Sequence, residues 1–411
     1  MNAKKMANYT NYAKAQELWK TLYLCAKESK TRRFHALYDK IYRPDILWEA
    51  WQRVRRNRGS SGVDSQTMEN IEIYGEDRFL NEIYLELKEN RYHPQPVLRT
   101  YIPKDDGKKR PLGIPTIKDR VVQMATKLVI EPIFEADFKD CSYGFRPKRN
   151  AHQAIAKIRK ESKSKKSYWV LDVDIQGYFD NINHDKLMKL VEQRISDRKV
   201  LKLIRKWLQA GIIMEEGKVR NSVLGAPQGG VISPLLSNIY LDVMDSLWEK
   251  KFSHLGSLIR YADDFVILCR TKQQALEGIR VIQAIMGKLD LSLHKEKSRL
   301  VNIWDDSDGF DFLGFHHRKF PIRKKGGRTF LIMNHVPSKK AMKKMRKKIK
   351  DFTEPRHKLF MDIKELVKGL NRRLQGFKNY YQLSPMSKRW LNRIDWYVLQ
   401  RLNLFHNKKK K

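Results

Sequence analysis

Cysteine is nearly absent from this sequence. Its 411 residues include only Cys25, Cys141 and Cys269, each isolated from the others. That spacing excludes a disulfide framework and a Cys-based zinc module. Long apolar runs are missing too. None approaches the ~20 residues needed to cross a bilayer, and the opening Met1-Asn-Ala-Lys-Lys-Met has no signal-peptide core. Acidic residues are scarce relative to basic ones: 46 Asp and Glu against 84 Lys and Arg, a formal charge of +38. A field of that sign says little about fold and points to a polyanion, nucleic acid rather than membrane. There is no tandem repeat, and Lys408 to Lys411 is the only low-complexity piece. The expectation is a cytoplasmic protein of two or three domains with no membrane partner.

The chemistry concentrates in a few places. Leu258-Ile-Arg-Tyr-Ala-Asp-Asp-Phe-Val-Ile-Leu268 sets two carboxylates, Asp263 and Asp264, between two apolar runs that read as strands around a tight turn. Adjacent charges beside apolar strands are costly unless neutralised, and a hard divalent cation does that through carboxylate oxygen. An ordinary acidic turn is the plainer reading. Upstream, Tyr168-Trp-Val-Leu-Asp-Val-Asp-Ile-Gln-Gly177 reads as a further strand, with Asp172 and Asp174 on one face and Gly177 at its end. Asn183 has the character of a helix N-cap, followed by a helix from His184 to Ile195. Carboxylates delivered by separate strands suit two-metal phosphoryl transfer. For Asp172 the plainer role of a surface or capping acid is preferred.

These residues sit in an ordered series: Arg110-Pro-Leu-Gly-Ile-Pro, Ser142-Tyr-Gly-Phe-Arg-Pro, Asp174-Ile-Gln-Gly-Tyr-Phe-Asp, Gly225-Ala-Pro-Gln-Gly-Gly-Val-Ile-Ser-Pro, Tyr261-Ala-Asp-Asp, Phe310-Asp-Phe-Leu-Gly-Phe and Gly376-Phe-Lys-Asn-Tyr-Tyr. Order and detail resemble the reverse transcriptases encoded by bacterial group II introns, over roughly residues 40 to 400. The resemblance implies an α+β right-hand polymerase. It would comprise fingers, a palm of antiparallel sheet backed by helices, and an α-helical thumb of about three helices. It divides the chain into a basic N-terminal extension (1–43), fingers and palm (44–320) and a thumb or maturase domain (321–411). Residues 335 to 411 carry 23 Lys or Arg against five acids.

The resemblance also implies roles. Asp174, Asp263 and Asp264 would be catalytic and hold two Mg2+ ions, with Mn2+ as substitute; a tuning role for Asp264 stays open. Lys104, Arg110, Tyr178, Gln228 and Lys297 would meet the deoxynucleoside triphosphate. Lys104 and Arg110 flank Asp105-Asp106-Gly107-Lys108-Lys109, a hairpin-turn composition, and would grip phosphate. Tyr178 would act as the steric gate against a 2′-hydroxyl while Phe179 packs in the core. Lys297 would lie near the leaving pyrophosphate, a solvated lysine being the alternative. Arg146, Leu313 and Gly314 would meet the template and primer. Lys343, Lys344, Arg346, Lys347, Arg372 and Arg373 would bind intron RNA, with Trp396 and Tyr397 mostly packed. Gly326-Gly327 would turn a strand pair between Lys319 and Met333.

The partners would be structured intron RNA, an RNA template with a DNA primer, and dNTPs. The scattered cysteines cannot build the Cys-x-x-Cys nuclease module common in such proteins, so mobility would draw its primer elsewhere, for example from a nascent strand at a replication fork. Two other readings stay open: a domesticated polymerase in DNA repair or phage defence, and a splicing maturase whose polymerase is dispensable.

Overall fold

The structure, a computed structural model, describes residues 3–103, 107, 109–164, 166–213, 219–220, 224–225, 228–304, 309–323 and 329–410. The strands among them are β1 (Val97–Pro103), β2 (Lys109–Ile114), β3 (Trp169–Val173), β4 (Ile212–Ile213), β5 (Val219–Arg220), β6 (Ser257–Tyr261), β7 (Asp264–Cys269), β8 (Arg299–Asn302), β9 (Phe310–Phe312), β10 (Phe315–Arg323) and β11 (Thr329–Pro337). The chain divides into two compact units.

The first unit comprises residues 1–147, 175–251 and 282–293. Its centre is helix Ile117–Glu135, buried at nearly every position from Ile117 to Phe134. Thr116 caps this helix by accepting from the Asp119 amide at 3.1 Å. Helix Pro44–Arg56 packs along it and buries Ile46, Leu47, Ala50, Trp51 and Val54, the i, i+3, i+4 pattern of an amphipathic helix. Asp197 ties two segments together: one carboxylate oxygen caps helix Arg198–Gln209, and the other accepts from the Leu37 and Tyr38 amides at 2.9 and 2.8 Å. The sheet runs β2-β1-β4-β5, antiparallel except for the parallel β1–β4 pair.

The second unit comprises residues 148–174, 252–281 and 294–411. Its main sheet runs β6-β7-β3-β8 with every pairing antiparallel, the arrangement expected of the palm. Phe265 to Cys269 are 0–1% exposed on both faces, which explains why β7 reads as a continuous apolar run rather than an alternation. Helix Ala151–Ser164 packs on β6, β7 and β11. A three-stranded sheet, β11-β10-β9, follows. Helices Lys339–Thr353, Ile363–Tyr381 and Ser387–Lys410 then close around Met342, Met345, Ile349, Leu366, Leu370, Ile394, Val398 and Phe405. Ser338 and Asp362 cap the first two.

The linear division at residues 43 and 320 differs from this one. The strands of the main sheet come from three separate stretches of the chain, and they group with the C-terminal helices. The Gly326-Gly327 turn lies outside the described residues, although the β10–β11 pairing that it would join runs from Phe315↔Pro337 to Arg323↔Thr329. Trp396 is not packed as expected. It is 63% exposed, while Tyr397 is half-buried against the helical core. The buried stripe of the last helix, Ile394, Val398 and Phe405, leaves position 396 on the opposite side. No helix among the described residues is long and apolar enough to cross a membrane.

Candidate active site

The acid-bearing turn follows from the strand register. Tyr261 pairs with Asp264, so Ala262 and Asp263 alone connect β6 to β7. Ala262 has φ +58°, the left-handed conformation that primed hairpin turns require. For a residue with a Cβ this costs about 1 kcal/mol, and it persists where the surroundings impose it. One such constraint is Arg260. It is fully buried, and its Nη1 donates to the Ala262 carbonyl at 2.9 Å. Alternation puts Arg260 with its partner Phe265 on one face of the sheet and Asp264 on the other. A buried guanidinium thus lies behind the carboxylate pair.

The β3–β7 register ends at Val173↔Phe265. Continued by one step, that register would bring Asp174 opposite Asp264, with their Cα atoms about 5 Å apart. Asp263 is half-buried and Asp264 exposed. The Asp174 carboxylate holds Lys297, with Nζ at 2.9 Å from Oδ2. The backbone strengthens that link, since the His294 amide donates to the Asp174 carbonyl at 2.8 Å. Among the described residues, no three His, Cys, Asp or Glu side chains are drawn together as a finished metal cage. The donor chemistry still fits a hard divalent cation. Carboxylate oxygen is the donor such an ion prefers, and the charge that a metal would neutralise on Asp174 is met by a lysine that is 61% exposed. Asp172 is neither a surface acid nor a cap. It sits on β3 in an ion pair with Arg299 at 3.3 Å, and burial pushes its carboxyl up to about 6 against the pull of that guanidinium.

The remaining candidates are distributed as follows. In the first unit, Arg110 is exposed on β2, and Lys104 lies outside the described residues. Gln228 is half-buried, and its carbonyl accepts from the Gly113 amide. Gly229, at φ +118°, rests on the Gly113 carbonyl so closely that a Cβ would collide with that oxygen. Glycine is required there by contact as well as by φ.

Two candidates are corrected. Tyr178 is 2% exposed, and its hydroxyl donates to the Ser237 carbonyl at 2.8 Å. Phe179, edge-on to it, is half-buried. The packing has therefore reversed the expected division: the ring with a hydroxyl went inside because a buried carbonyl could accept from it. Arg146 cannot offer its guanidinium to a template. Its side chain is 2% exposed and is taken up by Glu135 at 2.7 Å and by the Lys139 and Ser142 carbonyls.

In the second unit, Leu313 and Gly314 form the two-residue turn between β9 and β10, with Phe312 paired to Phe315. Both have positive φ, +51° and +78°. Lys343, Lys344, Arg346 and Lys347 are all exposed on helix Lys339–Thr353. Lys344 and Lys348 of that helix line a groove with Arg372, Arg373, Tyr380 and Tyr381 of helix Ile363–Tyr381. Arg373 is braced there, 3.8 Å over the Phe352 ring and bonded to the Gly369 carbonyl. The sequence reading gives Arg260 no role and assigns Phe179 to the core. For Arg260 a signal existed, a cation at an inward position of an otherwise apolar strand. For the order of Tyr178 and Phe179 there was none.

The chain's own residues thus define a polymerase-like acid site on an antiparallel sheet, followed by a basic helical module. Comparison with known proteins agrees. Residues 102–317 match the model of the reverse transcriptase (RNA-dependent DNA polymerase) family, and residues 342–411 match that of the group II intron maturase-specific domain. The chain belongs to the reverse transcriptase family, in the group II intron type, and is an RNA-directed DNA polymerase with the α+β fold of that family.

Among its relatives is Protein YkfC of Escherichia coli (strain K12), 34% identical over 364 residues, covering 79% of this chain and 93% of that protein. Group II intron-encoded protein LtrA of Lactococcus lactis subsp. cremoris is 40% identical over 223 residues, covering 54% of this chain and 36% of LtrA. Nuclear intron maturase 1, mitochondrial, of Arabidopsis thaliana is 38% identical over 95 residues, 23% of this chain and 13% of that protein. The family carries dependence on a divalent metal and binding to nucleic acid.

Proposed function

We propose that this protein copies RNA into DNA by nucleotidyl transfer at Asp174, Asp263 and Asp264, and binds a structured intron RNA through its C-terminal helices to assist splicing and mobility. The observation that supports the first part is the β3–β7 register, which runs to Val173↔Phe265 and leads toward Asp174 and Asp264, beside a turn pinned by a buried arginine. Two Mg2+ ions, or Mn2+ in their place, would be held by these three carboxylates. Such a pair lowers the pKa of an attacking hydroxyl and stabilises the charge that develops on the phosphate. The protein's task is then positioning. Lys297 pairs with the Asp174 carboxylate at 2.9 Å, and from that position it would serve the pyrophosphate side of the nucleotide. Arg110 and Lys104 grip the triphosphate, Arg110 through the planar fork that suits phosphate. Gln228 orients the nucleotide from a loop docked on β2.

The sugar gate falls to Phe179, because Tyr178 is closed off in the core. Leu313 and Gly314 meet the primer end. Lys343, Lys344, Arg346, Lys347, Arg372 and Arg373 neutralise RNA phosphates on the helical module. The test is extension of oligo(dT) on poly(rA) with dTTP or with UTP, with and without magnesium, in wild type and Phe179→Ala. Magnesium-dependent synthesis is expected, and the variant should raise ribonucleotide incorporation by about a hundredfold. Metal-independent or absent synthesis would reject the polymerase assignment, and unchanged sugar discrimination would reject the gate.

A further inference from the structure

We propose that Tyr380 and Tyr381, in the maturase-specific segment, are positioning residues for DNA synthesis, because they clamp the Leu313–Gly314 turn. The proposal rests on reading that turn as the contact with the primer end. A leucine at φ +51° inside a two-residue turn does not hold that conformation by itself. Three contacts impose it. The Tyr380 hydroxyl donates to the Leu313 carbonyl at 2.9 Å. The Ser338 amide donates to the Gly314 carbonyl at 2.9 Å, and Ser338 also caps helix Lys339–Thr353. The Tyr381 hydroxyl lies against the Gly314 Cα, so that a Cβ there would sit 2.6 Å from that oxygen. Phe315, the next residue, is fully buried, with ring centroids 5.4 and 4.9 Å from Tyr380 and Tyr381.

The clamp is anchored behind and loaded in front. Behind, His152 of helix Ala151–Ser164 donates from Nε2 to the Tyr380 carbonyl at 2.9 Å, and that helix packs on the strands flanking Asp263 and Asp264. In front, the same two tyrosines line the groove of Lys344, Lys348, Arg372 and Arg373. A phosphate backbone lying in that groove rests on the rings that hold the turn. Occupancy of the basic module and placement of the primer end therefore meet at one pair of side chains. Tyrosines that only fill a core would need no hydrogen bond to a strained carbonyl and no glycine opposite their hydroxyl.

The experiment uses the full chain, poly(rA)/oligo(dT) and dTTP. Tyr380→Phe removes one oxygen. It should lower kcat about tenfold while the KM for dTTP stays within about twofold and Tm within about 2 °C. Gly314→Ala should lower kcat further. Adding Tyr381→Phe should recover at least about threefold of that loss, because it removes the atom that the new methyl meets while the φ strain remains. Full activity in Tyr380→Phe, a fall in kcat that merely follows a fall in Tm, or no recovery in the double variant would each overturn the clamp. If Gly314→Ala and Leu313→Ala both extend primers normally, the turn does not meet the primer and the underlying reading fails. If Gly314→Ala disables extension and Tyr380→Phe does not, that reading stands and the clamp fails.

Discussion

The Ala262–Asp263 turn and the Leu313–Gly314 turn both join antiparallel strands through two residues, and both put a residue with a Cβ at positive φ. They differ in what holds them. The first is pinned from its own strand, two residues away, by a fully buried guanidinium donating to the Ala262 carbonyl. The second is pinned from 67 residues away, by a phenol of the maturase-specific segment donating to the Leu313 carbonyl. A buried cation cannot be lost without leaving its surroundings unpaired, so the acid-bearing turn is built into the stability of the sheet. A half-buried hydroxyl can be lost at little structural cost, so the other turn is set by its neighbour and can respond to it.

The largest expected effect tests whether the first turn is the chemical centre at all. Asp263→Ala should reduce primer extension by about a thousandfold or more while RNA affinity is retained; equal loss of both would remove the distinction between the two regions. Next, Arg260→Met should cost about 3 kcal/mol of stability in urea unfolding along with most of the activity, and Arg260→Lys should recover part of each. Were Arg260→Met as stable as wild type, the contrast with Tyr380 would be lost.

A third measurement addresses the groove. Replacing Lys344, Lys348 and Arg372 with Ala should flatten the dependence of log affinity on log salt by about 2 units for RNA, with kcat at saturating primer-template little changed. An unaltered slope would put the RNA on another face.

The smallest effect is one of pH, and it separates the two sheets. His317 and His335 face each other across β10 and β11. Burial holds His317 well below the ordinary histidine range and pushes His335 down to about 4. Both stay neutral in the fold while the unfolded chain takes up protons below about 6.5. The fold therefore binds fewer protons there, and stability is complete above that pH and lost as pH falls. At pH 5 the loss should be about 2 kcal/mol for His335, with His317 adding to it in the same direction. His317→Phe should reduce the difference in stability between pH 7 and pH 5 by about half; an unchanged difference would mean that His317 is not held neutral.

Much of the candidate site was legible because its signals are local. Alternation placed Asp172 and Asp174 on one face, the apolar runs around Ala262-Asp263-Asp264 announced a hairpin, and Asn183 was recognisable as the cap that accepts from the Lys186 amide. What failed was non-local. Nothing near Arg146 in sequence reveals that Glu135 and two carbonyls will consume its guanidinium. Nothing near Tyr178 reveals that the Ser237 carbonyl will be waiting for its hydroxyl.

By itself the sequence determined the family, the strands and turn that carry the acids, and the basic character of the C-terminal helices. These depend on period, spacing and charge within short windows of the chain. Only the tertiary structure decided which of two adjacent rings goes inside, which arginines are spent on the fold, and which tyrosine hydroxyl meets the Leu313 carbonyl. Those outcomes depend on donors and acceptors that become neighbours after the chain has packed, and buried polar groups take whatever partner the packing supplies.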